Sequence, residues 1–142
     1  MKDTQSFRET LMTTPSATRS DTKSAPVLWC IGCGDLGTSI GTALAAEGWR
    51  VFGVRRHPPA QTPFPQVAID VLANPQALRA LPAPDFVVYT VTPPQRTVEA
   101  YRAVYDTAVQ AVLKELPATS SRFLLVSSTG VYAQQQGEWL DE

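Results

Sequence analysis

Gly32, Gly34 and Gly37 stand in the spacing Gly-x-Gly-x-x-Gly, directly after the apolar run Val27 to Ile31 and directly before an amphipathic stretch. Each lacks a side chain where one would obstruct. Gly32 permits a tight turn, Gly34 lets the backbone approach a pyrophosphate with no Cβ between them, and Gly37 allows a helix to pack closely on a strand. The helix that opens there offers unpaired N–H groups and the positive end of its dipole. Gly32, Cys33, Gly34, Asp35, Leu36 and Gly37 are therefore expected to hold the two linked phosphates of a dinucleotide. Asp35 suits a helix N-terminus but repels a pyrophosphate, so its carboxylate is expected to face backbone N–H groups or solvent.

A second apolar run closes in Val54-Arg55-Arg56, about twenty residues beyond the glycines. An acid at this place would accept a hydrogen bond from the ribose 2′-hydroxyl of NAD, whereas arginine pairs with the 2′-phosphate of NADP. The two guanidiniums present the fork geometry that phosphate favours. NADP is the expected cofactor, ahead of NAD, with Arg55 and Arg56 as its selectors. Asp70-Val71 follows a third run and is placed to meet the adenine ring. Thr90-Val91-Thr92-Pro93 ends a fourth and is placed along the path to the nicotinamide.

Cys30 and Cys33 form a Cys-x-x-Cys pair, a spacing used in thioredoxin-like redox chemistry and in half of a zinc site. Cys30 lies inside an apolar run and Cys33 between two glycines. The single histidine, His57, and the lack of a second cysteine pair leave a zinc site short of ligands. Both thiols are read as structural, and no metal is expected.

These residues need a scaffold, and the chain spells one. From Val27 onward, short apolar runs alternate with helical patterns, the mark of consecutive βαβ units. Strands are expected at Val27 to Ile31, Arg50 to Val54, Val67 to Ile69, Asp85 to Val91 and Arg122 to Ser127. The helix after the glycines places Leu36, Ile40, Ala43 and Leu44 on one face, and Gly48 ends it. Asn74-Pro75 reads as a cap and first turn for a short helix through Leu81. A long helix from about Val98 to Leu116 carries Tyr101, Val104, Tyr105, Ala108 and Val112 on one stripe. Right-handed crossovers then give an α/β fold: a three-layer, doubly wound parallel sheet of Rossmann type, order 3-2-1-4-5, with its crevice at the carboxyl end of the first strand.

The 142 residues suit one domain. Residues 1–25 are rich in Ser and Thr without periodicity and are expected to be a disordered leader, with 26–142 forming the nucleotide-binding domain. Asp3, Glu9 and Asp21 argue against a transit peptide. The net charge of −1 gives no general attraction to nucleic acid. No apolar run approaches the roughly 18 residues of a membrane span, so a cytoplasmic protein is expected, with neither nucleic acid nor membrane as partner.

Taken together, the glycine loop, Val54-Arg55-Arg56 and the block Ser127-Ser128-Thr129-Gly130-Val131-Tyr132 resemble the extended or atypical short-chain dehydrogenase/reductases, nearest to the NAD-dependent epimerase/dehydratase group. The resemblance runs from about Val27 to Glu142, and Gly137-Glu138-Trp139-Leu140-Asp141-Glu142 extends it. It implies an oxidoreductase or epimerase that moves a hydride at a carbinol or carbonyl carbon, with Ser128 hydrogen-bonded to the reacting oxygen of a small-molecule substrate. It also implies an acid/base tyrosine in a Tyr-x-x-x-Lys helix, and there the sequence departs. The lysines are Lys2, Lys23 and Lys114, and none stands four residues after a tyrosine. Tyr132 is not that tyrosine, and Ala133 replaces the glycine that commonly follows.

The chain is thus expected to bind its cofactor and, by itself, to transfer hydride slowly, since a missing proton donor costs on the order of 10²- to 10⁴-fold. The alternative is a non-catalytic dinucleotide-binding module, a redox sensor or assembly partner. A chain ending at Glu142 would leave the sheet incomplete at its C-terminal edge, and the open fifth strand would favour self-association.

Overall fold

Val27–Ile31 forms β1, and all five of its residues are buried, as a parallel strand covered on both faces should be. The structure, a computed structural model, describes residues 24–118 and 122–127. The expected leader therefore falls almost wholly outside the described residues. After β1 come α1 (Asp35–Ala46), β2 (Arg50–Arg55), β3 (Gln66–Ala68), β4 (Phe86–Tyr89), α2 (Val98–Arg102), α3 (Ala108–Glu115) and β5 (Arg122–Leu125). The five strands pair in parallel in the order β3-β2-β1-β4-β5. This is the expected doubly wound arrangement, and the sheet is not closed.

The direction of travel reverses after β3, so a crevice opens at the carboxyl ends of β1 and β4. Register fixes what meets there. Ile31 pairs with Val54 on one side and Tyr89 on the other, so Gly32, Arg55 and Thr90 leave their strands at the same level. The faces alternate along each strand. Trp29, Ile31, Val87 and Tyr89 pack with Val104, Ala108 and Val112 of the later helix, while Leu28, Cys30, Val51 and Val88 pack beneath α1. Trp29 is fully buried, and its indole N–H donates to the Pro82 carbonyl at 2.9 Å.

The helix α1 turns a different side to the sheet than its large residues suggest. Gly37 and Gly41 are buried and Ile40, Leu44 and Ala45 partly so, whereas Leu36 is 50% exposed and Ala43 is also exposed. The cause is Phe64 of the Pro-rich loop between β2 and β3. Its ring lies so close that a Cβ on Gly41 would come within 2.4 Å of it. Two glycines let the helix settle there, and apolar periodicity does not register glycine. The end of α1 is as expected: Gly48 has φ +87°, its N–H donates to Ala45, and the Trp49 N–H reaches back to Leu44.

Two further elements depart from expectation. Pro75–Ala80 is a 3₁₀ helix, and the Asn74 side chain makes no capping bond. It is held by buried Leu78 and by the pairing of Arg79 with Glu115 of α3. The long helix is not uniform: a π turn, Ala103–Thr107, separates α2 from α3. The Ala108 N–H, which an α-helix would give to Val104, goes to Ala103 instead, and the Val104 carbonyl accepts the Tyr89 hydroxyl at 2.7 Å. A buried phenol needs a partner, and the wider turn supplies one. Among the described residues no helix is long and apolar enough to cross a membrane. On β5, which has no outer neighbour among them, Leu124 and Leu125 are 48% and 40% exposed.

Candidate functional site

The glycine turn is built by its neighbours. Gly32 has φ +82°, and a Cβ there would lie 2.5 Å from the Val91 backbone nitrogen. Both facts require glycine. The N–H groups of Gly32 and Cys33 donate to the Val54 carbonyl at 2.8 and 3.1 Å, which seats the turn on β2. From the other side the Thr90 hydroxyl donates to the Gly32 carbonyl at 2.9 Å. The Arg55 guanidinium donates to the Cys33 carbonyl at 3.1 Å. The turn is thus fastened to both strands flanking β1.

Gly34 begins α1 without any side-chain cap, so the first N–H groups of the helix face outward with no intrahelical partner. A Cβ on Gly34 would find only the Gly32 carbonyl oxygen within 4 Å, at 3.8 Å. The space in front of this backbone is open to the cleft. It is the shape a pyrophosphate needs: bare N–H groups and no side chain in the way. At Gly37 a Cβ would press on the Thr90 hydroxyl at 3.2 Å, so that glycine serves close helix-strand packing.

A cleft of about 790 Å³ runs along the carboxyl ends of the strands. This is within the usual range of ligand pockets, about 300–1,000 Å³. Of the sequence-expected binding residues, Gly32, Gly34, Asp35, Leu36, Gly37, Arg55, Arg56, Asp70, Val71, Thr90, Val91 and Thr92 all line it. Cys33 does not. Its side chain is buried beneath the turn, with its sulfur 3.6 Å from the Thr38 hydroxyl.

The charges divide the cleft. Arg55 is half-buried and Arg56 exposed at one end, beside exposed His57. The Asp70 carboxylate accepts from the Leu72 and Ala73 N–H groups at 2.9 and 3.3 Å, so it stabilises its own turn. Val71 is buried at the cleft wall. Asp35, in the first turn of α1, is exposed. The opposite end of the cleft is formed by Thr92 and Pro94, by Val126 and Ser127 after β5, and by Val104, Tyr105 and Ala108 of the helix. Ser128, the expected contact for a substrate oxygen, lies outside the described residues, as does Tyr132.

The Cys30 and Cys33 thiols share a hydrogen bond. It pulls the Cys33 thiol down to about 7, aided by Thr38 and Arg55 and opposed by burial. The same bond, with burial, pushes the Cys30 thiol far up. Both cysteines are free, and among the described residues no cluster of side chains could hold a metal.

Sequence reasoning missed His57 and Tyr105 as cleft residues. His57 follows Arg56 directly and was within reach of the same argument. Tyr105 packs against the sheet-side core as its place on the stripe implies, and nothing in the spacing announces that it also lines the cleft.

A parallel sheet in this order, with a glycine turn opening a helix beneath its crevice, defines a Rossmann-type fold. Solved structures that the chain resembles include an epimerase-type protein and short-chain dehydrogenase/reductases, matched over about 80% of its length. One is a candidate epimerase from Burkholderia cenocepacia, 26% identical over 84% of this chain and 42% of that one, with a TM-score of 0.64. Another is a short-chain dehydrogenase/reductase superfamily protein from Agrobacterium tumefaciens with bound NAD, 22% identical over 80% of this chain and 36% of that one, TM-score 0.66. A third is MoeE5 in complex with UDP-glucose and NAD, 21% identical over 80% of this chain and 40% of that one, TM-score 0.61. The chain spans less than half the length of each. No family model and no curated protein matches the sequence.

Proposed function

We propose that the chain is the cofactor-binding part of an oxidoreductase or epimerase of the short-chain dehydrogenase/reductase type, that it holds NADP in preference to NAD, and that the reaction lies at a carbinol or carbonyl carbon. One observation carries the reading: the backbone at Gly34 faces an open cleft with uncapped helix N–H groups, and the same cleft runs to Arg55 and Arg56. The NAD held by the Agrobacterium protein and by MoeE5 supports a nicotinamide dinucleotide as the ligand class. The choice of NADP rests on Arg55 and Arg56 alone.

In this reading the start of α1 receives the pyrophosphate, Arg56 pairs with the 2′-phosphate, and Arg55 contributes charge while bracing the loop. Val71 flanks the adenine, and Thr90, Val91 and Thr92 line the way to the nicotinamide. Bound there, the dinucleotide supplies or accepts a hydride. Ser128 hydrogen-bonds the reacting oxygen of the substrate.

Calorimetric titration of NADPH and NADH, with protection of the Gly32 to Gly37 amides followed in parallel, tests this. Tighter NADPH binding that is lost in the double variant Arg55→Ala, Arg56→Ala is expected. Equal affinities would overturn the NADP preference, and no binding of either would overturn the reading as a whole.

A further inference from the structure

Tyr105 sits inside the π turn, one residue past the carbonyl that accepts the Tyr89 hydroxyl. A π turn carries one extra residue per hydrogen-bonded ring, and such turns are frequent at functional sites. Val104 and Tyr105 both line the cleft here: Val104 belongs to the core at 3% exposure, while Tyr105 packs against that core and is half-buried. The Tyr101 ring backs Tyr105 at 5.7 Å between centroids, and the Tyr89 to Val104 bond fixes the turn from below. The aromatic ring is therefore held from two directions at the end of the cleft away from Arg55, Arg56 and Asp70, among residues that follow β4 and β5.

We propose that Tyr105 is the contact for the nicotinamide-ribose half of the dinucleotide, offering its ring as a wall to the base and its hydroxyl as a hydrogen-bond donor to the ribose. The inference rests on the dinucleotide reading above and adds the residue that senses the reactive half. Partial burial pushes the Tyr105 hydroxyl above its ordinary range, so at neutral pH it donates and does not act as a base. Its part is binding and orientation.

The test compares two probes on the full chain: NADPH, which has both halves, and adenosine 2′,5′-bisphosphate, which has only the adenosine end. Tyr105→Ala weakens NADPH on the order of 10-fold and leaves the bisphosphate unchanged. Tyr105→Phe keeps the ring and takes a smaller share of that loss. Unchanged bisphosphate affinity also shows that the variant is folded. If wild type binds both probes and Tyr105→Ala binds NADPH as tightly as wild type, or loses both probes equally, this inference alone is overturned. If wild type binds neither probe, the dinucleotide reading falls and takes this inference with it.

Discussion

Arg55 reaches from the end of β2 to the backbone of the glycine turn, its guanidinium donating to the Cys33 carbonyl at 3.1 Å. Part of its hydrogen-bonding capacity is thus committed to the loop, while Arg56 next to it is exposed at the cleft rim. The two arginines should separate on substitution. Arg55→Ala weakens both NADPH and NADH, because it loosens the turn under both, and NADPH somewhat more, because a charge near the 2′-phosphate is lost with it. Arg56→Ala weakens NADPH by about 10-fold, the scale of one charge-assisted bond, and spares NADH. Paired titrations check this, and identical profiles for the two variants would refute the division.

Gly32 and Gly34 should fail in opposite ways. Gly32→Ala places a side chain at φ +82° and 2.5 Å from the Val91 nitrogen, a strain of about 1–3 kcal/mol or more, visible as a lower midpoint in urea. Gly34→Ala meets only one atom at 3.8 Å and should leave stability within about 1 kcal/mol. Its cost falls on binding, on the order of 10- to 100-fold for the loss of charge-assisted bonds to the pyrophosphate. A destabilised Gly34→Ala with normal affinity would contradict the open-cradle geometry.

Tyr89→Phe removes the hydroxyl that satisfies the Val104 carbonyl in the core and should cost about 1–3 kcal/mol. Burial raises the Tyr89 hydroxyl above its ordinary 10, so the folded state keeps a proton that the unfolded chain gives up. That stability is fully present below pH 10 and drains away as pH climbs beyond it. Denaturant melts from pH 9 upward should therefore show a steeper alkaline loss for wild type than for Tyr89→Phe.

The cysteine pair should leave a signature at lower pH. Cys33 is held at about 7 against an ordinary 9, so its contribution is present above pH 9 and is lost as pH falls through 7. Cys30 is displaced upward from the same ordinary value, so its contribution is present below pH 9 and declines above it. Stability should thus rise from pH 7 toward 9 and then turn down. Thiolate absorbance should show one group ionising near 7 that vanishes in Cys33→Ala. A first ionisation near 9 in wild type would remove the premise.

The strands and their order were legible because buried parallel strands are continuous apolar runs and crossover handedness leaves few arrangements. The glycine turn was legible because its context, strand before and helix after, is local. What escaped depends on partners distant in sequence. Leu36 and Ala43 looked inward by periodicity, yet Phe64 pressing on Gly41 turned the glycine side of α1 to the sheet. The stripe through Tyr105 assumed a uniform helix, and only the Tyr89 phenol, 15 residues away, explains the wider turn at Val104. Arg55 was read as a pure phosphate ligand because a side-chain bond to a carbonyl 22 positions earlier leaves no trace in spacing.

The double fastening of the glycine turn, by the Thr90 hydroxyl on Gly32 and the Arg55 guanidinium on Cys33, has a kinetic meaning. Ordering entropy for this segment is lost when the chain folds, not when a ligand arrives. If the proposed dinucleotide binds, it meets a seat already set, so encounter should be governed by diffusion and charge, and cutting either fastener should shorten the residence time of the complex far more than it slows its formation.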